Sequence, residues 1–234
     1  MKYKNLHVLG TSHIAKQSVK EVEEAIKKKK PGILALELDR KRLAALFEKG
    51  RPKPKLTHIR KIGFKGFLFN ILGAWAEKKL GKETGVAPGS EMKKAFELAK
   101  ENKIKVYLVD QDISVTLSRI SSALTWKEKW NFLVDVFKAV VLRKKEVVFD
   151  LTKVPSASVI KKLTKKVKKR YPNIYHVLVY ERNHVMAKNL ANLIKKYPDE
   201  KILAIIGAGH EKEIIDLIKE IRGSPQVSYS FTVS

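Results

Sequence analysis

At 234 residues the chain is long enough for one domain or two and for a sizeable core. Its 44% hydrophobic and 31% charged residues exclude a disordered polymer, and the lack of cysteine excludes disulfides, a thiolate nucleophile and Cys-type zinc sites. The 49 Lys and Arg residues outnumber the 24 Asp and Glu, a net charge of +25. Such a surface suits nucleic acid, an anionic membrane or an acidic partner, and equally a solvated surface of thermophile type. No signal-peptide core and no uncharged apolar run of about 18 residues is present, so the expected setting is reducing and cytoplasmic.

In chain order, a first strand is expected from Leu6 to Leu9, stopping at Gly10 with Thr11, Ser12 and His13 behind it. Val19, Val22 and Ile26 then take up helical spacing. Pro31-Gly32 is a turn, and Ile33 to Asp39 reads as a second strand. Alternation puts Leu34, Leu36 and Leu38 on one face and Ile33, Ala35, Glu37 and Asp39 on the other. A buried carboxylate is costly unless paired or bound to a cation, which makes Glu37 the sharper signal. Asp39 also suits the N-cap of a helix from Arg40 to Phe47.

Residues 59–80 are rich in aromatic and glycine residues and are expected to pack as a helix on the core. Gly85 to Ser90 is a loop in which Ser90 suits an N-cap, and Glu91 opens a helix carrying Met92, Ala95, Phe96 and Ala99. An acid in a first turn ordinarily just complements the helix dipole. Ile104 to Val109 is the third strand, ending in Asp110-Gln111-Asp112, and a helix follows from Ile113. From Trp126 to about Lys196 the pattern is almost wholly helical, broken at Pro155 and at Tyr171-Pro172. Val159, Leu163 and Val167 form an apolar stripe opposite the basic face between Lys161 and Arg170. A polar knot, Glu181-Arg182-Asn183-His184, interrupts the last part of this stretch. Ile202 to Ile206 then repeats the opening pattern, running into Gly207-Ala208-Gly209-His210 and a helix with Ile214, Ile215, Leu217, Ile218 and Ile221. Residues 226–233 alternate like an edge strand.

The fold class this implies is α/β, a β-sheet core flanked by helices. The expectation is one unit over residues 1–234, with helical insertions at about 57–82 and 113–198, the larger one before the last core strand. Ligands bind beyond the carboxyl ends of strands in such sheets. Four strand ends carry His13, Glu37 with Asp39, Asp110 with Asp112, and His210. Histidine with carboxylate suits zinc, manganese, cobalt or iron, or a metal-free general base; the residues leave both open.

These residues resemble the TraB/PrgY family, named after a pheromone-shutdown protein. The resemblance rests on Gly10-Thr11-Ser12-His13, Glu37-Leu38-Asp39 with Arg42, and Pro88-Gly89-Ser90-Glu91-Met92. It continues through Val109-Asp110-Gln111-Asp112-Ile113 with Thr116 and Arg119, Glu181-Arg182 with Met186-Ala187, and Gly207-Ala208-Gly209-His210. The paired Gly-x-x-His motifs are also similar to those of the Tiki metallopeptidases, and the fold implied is of the erythromycin-esterase/ChaN type. Family members commonly carry Arg where this chain has Gln111, and many continue into membrane helices.

What the resemblance implies is a metal-dependent hydrolase, a peptidase first of all, with Mn, Co or Zn held by His13 and His210, and Glu37 as third ligand or as the base on its water. Glu91 would be a second catalytic carboxylate. Arg119, Arg182, Glu181 and Asp112 would bind substrate. A metal-free hydrolase with a His/Glu base, or a module that sequesters a peptide without cleaving it, are the competing readings. The partners expected are a peptide and an anionic membrane surface, with no sequence-specific nucleic acid; self-association into a homo-oligomer is left open.

Overall fold

A computed structural model describes residues 1–11, 16–48, 89–141 and 157–223. His13, the loop from Gly85 to Pro88, the aromatic segment 59–80 with the insertion at 57–82, the break at Pro155 and the strand at 226–233 lie outside the described residues.

Strands form where the expected apolar runs fall, with ends shifted by one to three residues. They are β2 (Leu6–Thr11), β3 (Ile33–Leu36), β4 (Lys105–Leu108) and β5 (Ile202–Gly207). A two-residue strand, β1 (Lys2–Tyr3), adds antiparallel to the edge of β2; it is too short to leave a periodic signal. The sheet order is β1-β2-β5-β3-β4, and the four longer strands are parallel. Thr11 lies opposite Gly207, and Leu36 opposite both Ile205 and Leu108, so the carboxyl ends of these strands share one rim. The chain runs from β2 to β3 leaving a gap, and β5 returns later to fill it. The direction of winding therefore reverses around β5, the arrangement that opens a ligand crevice in α/β sheets.

The helices among the described residues are α1 (Lys16–Lys29), α2 (Arg40–Phe47), α3 (Ser90–Glu101), α4 (Ile113–Ala123) and α5 (Trp126–Val141). After them come α6 (Ala157–Arg170), α7 (Pro172–Tyr175), a π-helical stretch from His176 to Glu181, α8 (Arg182–Lys196) and α9 (Glu211–Gly223). Leu34, Leu36 and Leu38 bury with Leu203 and Ile205 against Val22 and Ile26 of α1 and Met92, Ala95 and Ala99 of α3. On the opposite face Ile33, Ala35, Ile202, Ala204 and Ile206 pack with Met186, Ala187 and Leu190 of α8 and Ile214, Ile215 and Ile218 of α9. Strands covered on both faces need no polar alternation, which explains the unbroken apolar runs of β3 and β5.

Among the described residues, 126–141, 157–170 and 172–196 before β5 are helical, with Pro172 opening α7 as the expected break requires. The last of these helices, α8, doubles back onto the sheet and belongs to the core. The start of α3 differs by one residue from expectation. Gly89, not Ser90, is the N-cap, with a left-handed φ of 82° that a side chain would strain.

Candidate functional site

Glu37 follows the last paired residue of β3 and stays in register, its N–H donating to Ile205 O at 3.1 Å. Alternation turns its side chain to the α8–α9 face, where it is only 3% exposed. Its Oε2 accepts the backbone N–H of Gly207 at 2.5 Å, and its Oε1 accepts from Arg182 Nη2 at 2.5 Å. The carboxylate thus ties the ends of β3 and β5 to the first residue of α8.

Arg182 also grips Asp110, with Nε 3.1 Å from both carboxylate oxygens and Nη2 2.5 Å from Oδ2. Arg42 Nη2 reaches the same Oδ2 at 2.6 Å, and Arg42 Nε pairs with Asp39 Oδ2 at 2.6 Å. Asp39 at the same time caps α2, its Oδ1 accepting from the N–H groups of Lys41 and Arg42. Burial pushes the Asp110 carboxyl up, but the two guanidiniums outweigh it and hold it below the ordinary aspartate value. Burial alone would lower the Arg182 pKa, yet Asp110 and Glu37 more than offset it and keep the guanidinium charged. Among the described residues three carboxylates and two guanidiniums therefore interlock beneath the rim, one more negative charge than positive.

His210 stands at the start of α9 beyond β5, held in its turn by its N–H to Gly207 O at 2.9 Å. Its Nδ1 is 2.6 Å from Asn183 Oδ1, and its Nε2 is 3.7 Å from Glu37 Oε1. That second separation is too long for a hydrogen bond. It is close to the ~3.4 Å between two ligand atoms on a tetrahedral ion with bonds of about 2.1 Å. Among the described residues no group of three His, Cys, Asp or Glu side chains is gathered to hold a metal. His13, a ligand expected from the sequence, lies outside them. The last residue of β2 nonetheless abuts the turn after β5: Ala208 donates its N–H to Thr11 O at 2.9 Å. A Cβ on Gly10 would stand 2.7 Å from Glu211 Oε2 and 3.0 Å from Ala208 Cα, so the end of β2 lies this close to the turn after β5 because Gly10 has no side chain.

The remaining candidates divide. Glu91 is 2% exposed in the first turn of α3, which runs back to the start of β4 and so opens at the same end of the sheet. Glu181 and Arg119 pair with each other, Nη2 to Oε1 at 2.5 Å, joining α8 to α4. The Arg119 hydrogen bond, ahead of opposing burial, holds the Glu181 carboxyl below its usual range. Asp112 caps α4 through the Ser114 N–H and pairs with Lys41, away from the buried network. The polar knot is thus split by the helix: Arg182 and Asn183 turn inward, Glu181 meets Arg119, and His184 lies tilted against Tyr180 at 4.1 Å between ring centres. Asn183 is the residue that sequence reasoning left without a role. An Asn inside an apolar helix was its only signal.

An α/β sheet with a buried acid–base network at the carboxyl ends of its parallel strands defines the class. The TraB/PrgY/gumN family model matches residues 2–222, and the chain belongs to that family. An uncharacterized protein of Methanocaldococcus jannaschii is 35% identical over 228 residues, 95% of this chain and 55% of the relative. TraB domain-containing proteins of mouse and human are each 24% identical over 265 residues, 98% of this chain and 68% of theirs. The chain thus spans about half the length of the archaeal relative. No helix among the described residues is long and apolar enough to cross a membrane.

Proposed function

We propose that the chain is a metal-dependent hydrolase acting on peptides, with a divalent transition ion (Mn, Co or Zn) held by His210, Glu37 and His13. The observation that carries this reading is the approach of His210 Nε2 to Glu37 Oε1 at 3.7 Å, above a network whose carboxylates exceed its guanidiniums. An imidazole nitrogen and a carboxylate oxygen are the donor set such ions take, and the excess negative charge favours a cation. Once bound, the ion would supply a Lewis acid and a water of lowered pKa.

The chain's own residues then have separable tasks. Arg182 aims Glu37, since its guanidinium is itself anchored by Asp110. Glu91 is the second carboxylate, able to take a proton from water. Arg119 and Glu181, more exposed on the helical side, offer charge to a peptide, with Asp112 further out on the same helix α4.

A second reading has one observation in its favour. Both oxygens of Glu37 already accept hydrogen bonds, from Arg182 and from Gly207, which suits a metal-free hydrolase with a histidine base. Metal content of protein purified without chelator or nickel tag, together with turnover of a peptide library, separates the two. Stoichiometric metal lost in His210→Ala supports the first. Turnover without metal supports the second, and neither leaves a sequestering module. The exposed lysines of α6 add an expected partner, an anionic membrane surface bound through charge and weakened by salt, and no sequence-specific nucleic acid.

A further inference from the structure

Asn183 is fully buried on α8, directly after Arg182, and its side chain crosses to the start of α9. Its amide oxygen is 2.6 Å from His210 Nδ1. Its amide nitrogen is buried and has no hydrogen-bond partner among the described residues. Asn183 therefore makes one side-chain hydrogen bond, and that bond goes to the candidate histidine.

An amide oxygen only accepts, so the ring nitrogen facing it must carry the proton. A neutral imidazole has one N–H, so with the proton on Nδ1 the lone pair lies on Nε2. Nε2 is the atom that faces Glu37 Oε1 at 3.7 Å. We propose that Asn183 is a positioning residue: it fixes His210 as the Nδ1–H tautomer and so puts the lone pair of Nε2 on the side of Glu37.

Without Asn183 the opposite tautomer is favoured. A proton on Nε2 would point at the Glu37 carboxylate, and that attraction would close the site to a cation. Turning the amide round would pair its nitrogen with a bare Nδ1 and leave the oxygen buried without a donor. It would also place the proton on Nε2. The two orientations thus correspond to two states of the histidine, and the observed one presents the lone pair.

The consequence for metal affinity rests on the hydrolase reading above; the tautomer itself does not. Two-bond proton–nitrogen NMR correlations of the metal-free 234-residue chain, at a pH where imidazole is neutral, report which nitrogen of His210 is protonated. Wild type should show the proton on Nδ1, and Asn183→Ala should move it to Nε2. Asn183→Asp, which keeps an acceptor oxygen in place, should retain the proton on Nδ1. Zinc affinity by calorimetry should fall about 10–100-fold in Asn183→Ala, as for partners that orient a ligating histidine. A wild-type protein with its proton on Nε2 overturns the proposal, as does an Asn183→Ala spectrum unchanged from wild type. If Asn183→Ala does not fold, wild type and Asn183→Asp still decide it. Wild type that binds no zinc but carries the proton on Nδ1 sinks the metal reading alone and leaves Asn183 as the orienter of a bare-nitrogen base.

Discussion

Arg182 Nη2 lies 2.5 Å from Glu37 Oε1, joining the first residue of α8 to the end of β3 across 145 positions of sequence. A carboxylate at this strand end is costly unless it is paired or bound to a cation, and Arg182 supplies the pair. Removing one member of a buried pair costs about 3–5 kcal/mol, and the lower end applies because Arg182 keeps Asp110. Urea denaturation of metal-free wild type and Glu37→Gln should therefore differ by about 3 kcal/mol. Equal midpoints would show that the pair contributes nothing and return Glu37 to a purely catalytic account.

Asp110 sets the acid limit. Its folded-state carboxyl is held below the ordinary value because Arg182 and Arg42 outweigh burial. Its contribution to stability is thus fully present above the unfolded aspartate pKa of about 3.9 and is lost as pH falls through the lower folded value. Asp110→Asn should lose about 3–5 kcal/mol at neutral pH. It should also show a shallower decline than wild type below about pH 4. Urea midpoints measured across pH 2–7 check both. Parallel curves for the two proteins would mean that Asp110 does not titrate in this range.

The sheet was legible because its strands are apolar runs closed by glycine or carboxylate, and the alternation that set Glu37 against Leu36 and Leu38 survives in the packing. Placing His210, Glu37 and Asp110 at one rim needed only that the strands be parallel. The order of β5 between β2 and β3 was not legible, since near-identical apolar runs carry no neighbour code. Nor was the pairing of Arg182 with Glu37, because it depends on the angle at which α8 leaves the π-helical stretch. Asp39 was weighed as a cap and is one, while Arg42, met only as part of a motif, joins it to Asp110.

Gly10 is the test of how closely the end of β2 approaches the turn after β5. A methyl group there would press on Ala208 Cα, which is backbone and yields little, as well as on Glu211. Gly10→Ala should cost about 1–3 kcal/mol, the range for an added methylene in a packed site. If β2 draws away from β5 to relieve it, zinc affinity should fall alongside stability. Thermal melts with and without zinc measure both, and a variant as stable as wild type would show the contact to be loose.

The last prediction separates a tether from a substrate contact. Arg119 and Glu181 join α4 to the start of α8, and the Arg119 side chain is 53% exposed. Exposed pairs are screened by salt and contribute little to stability, so Arg119→Ala should leave the urea midpoint near that of wild type. If the pair only positions α8, exchanging the charges in Arg119→Glu/Glu181→Arg should restore whatever peptide turnover the single variant loses. If Arg119 holds a carboxylate or carbonyl of the peptide, the exchange puts a negative charge where the substrate needs a positive one. KM should then rise in Arg119→Ala and rise further in the exchanged variant, with the fold intact. That second outcome is the expected one, because a structural tether would be better served by a buried pair such as Arg182 with Asp110. Recovery of wild-type KM in the exchanged variant would reject substrate binding and leave Arg119 as a tether.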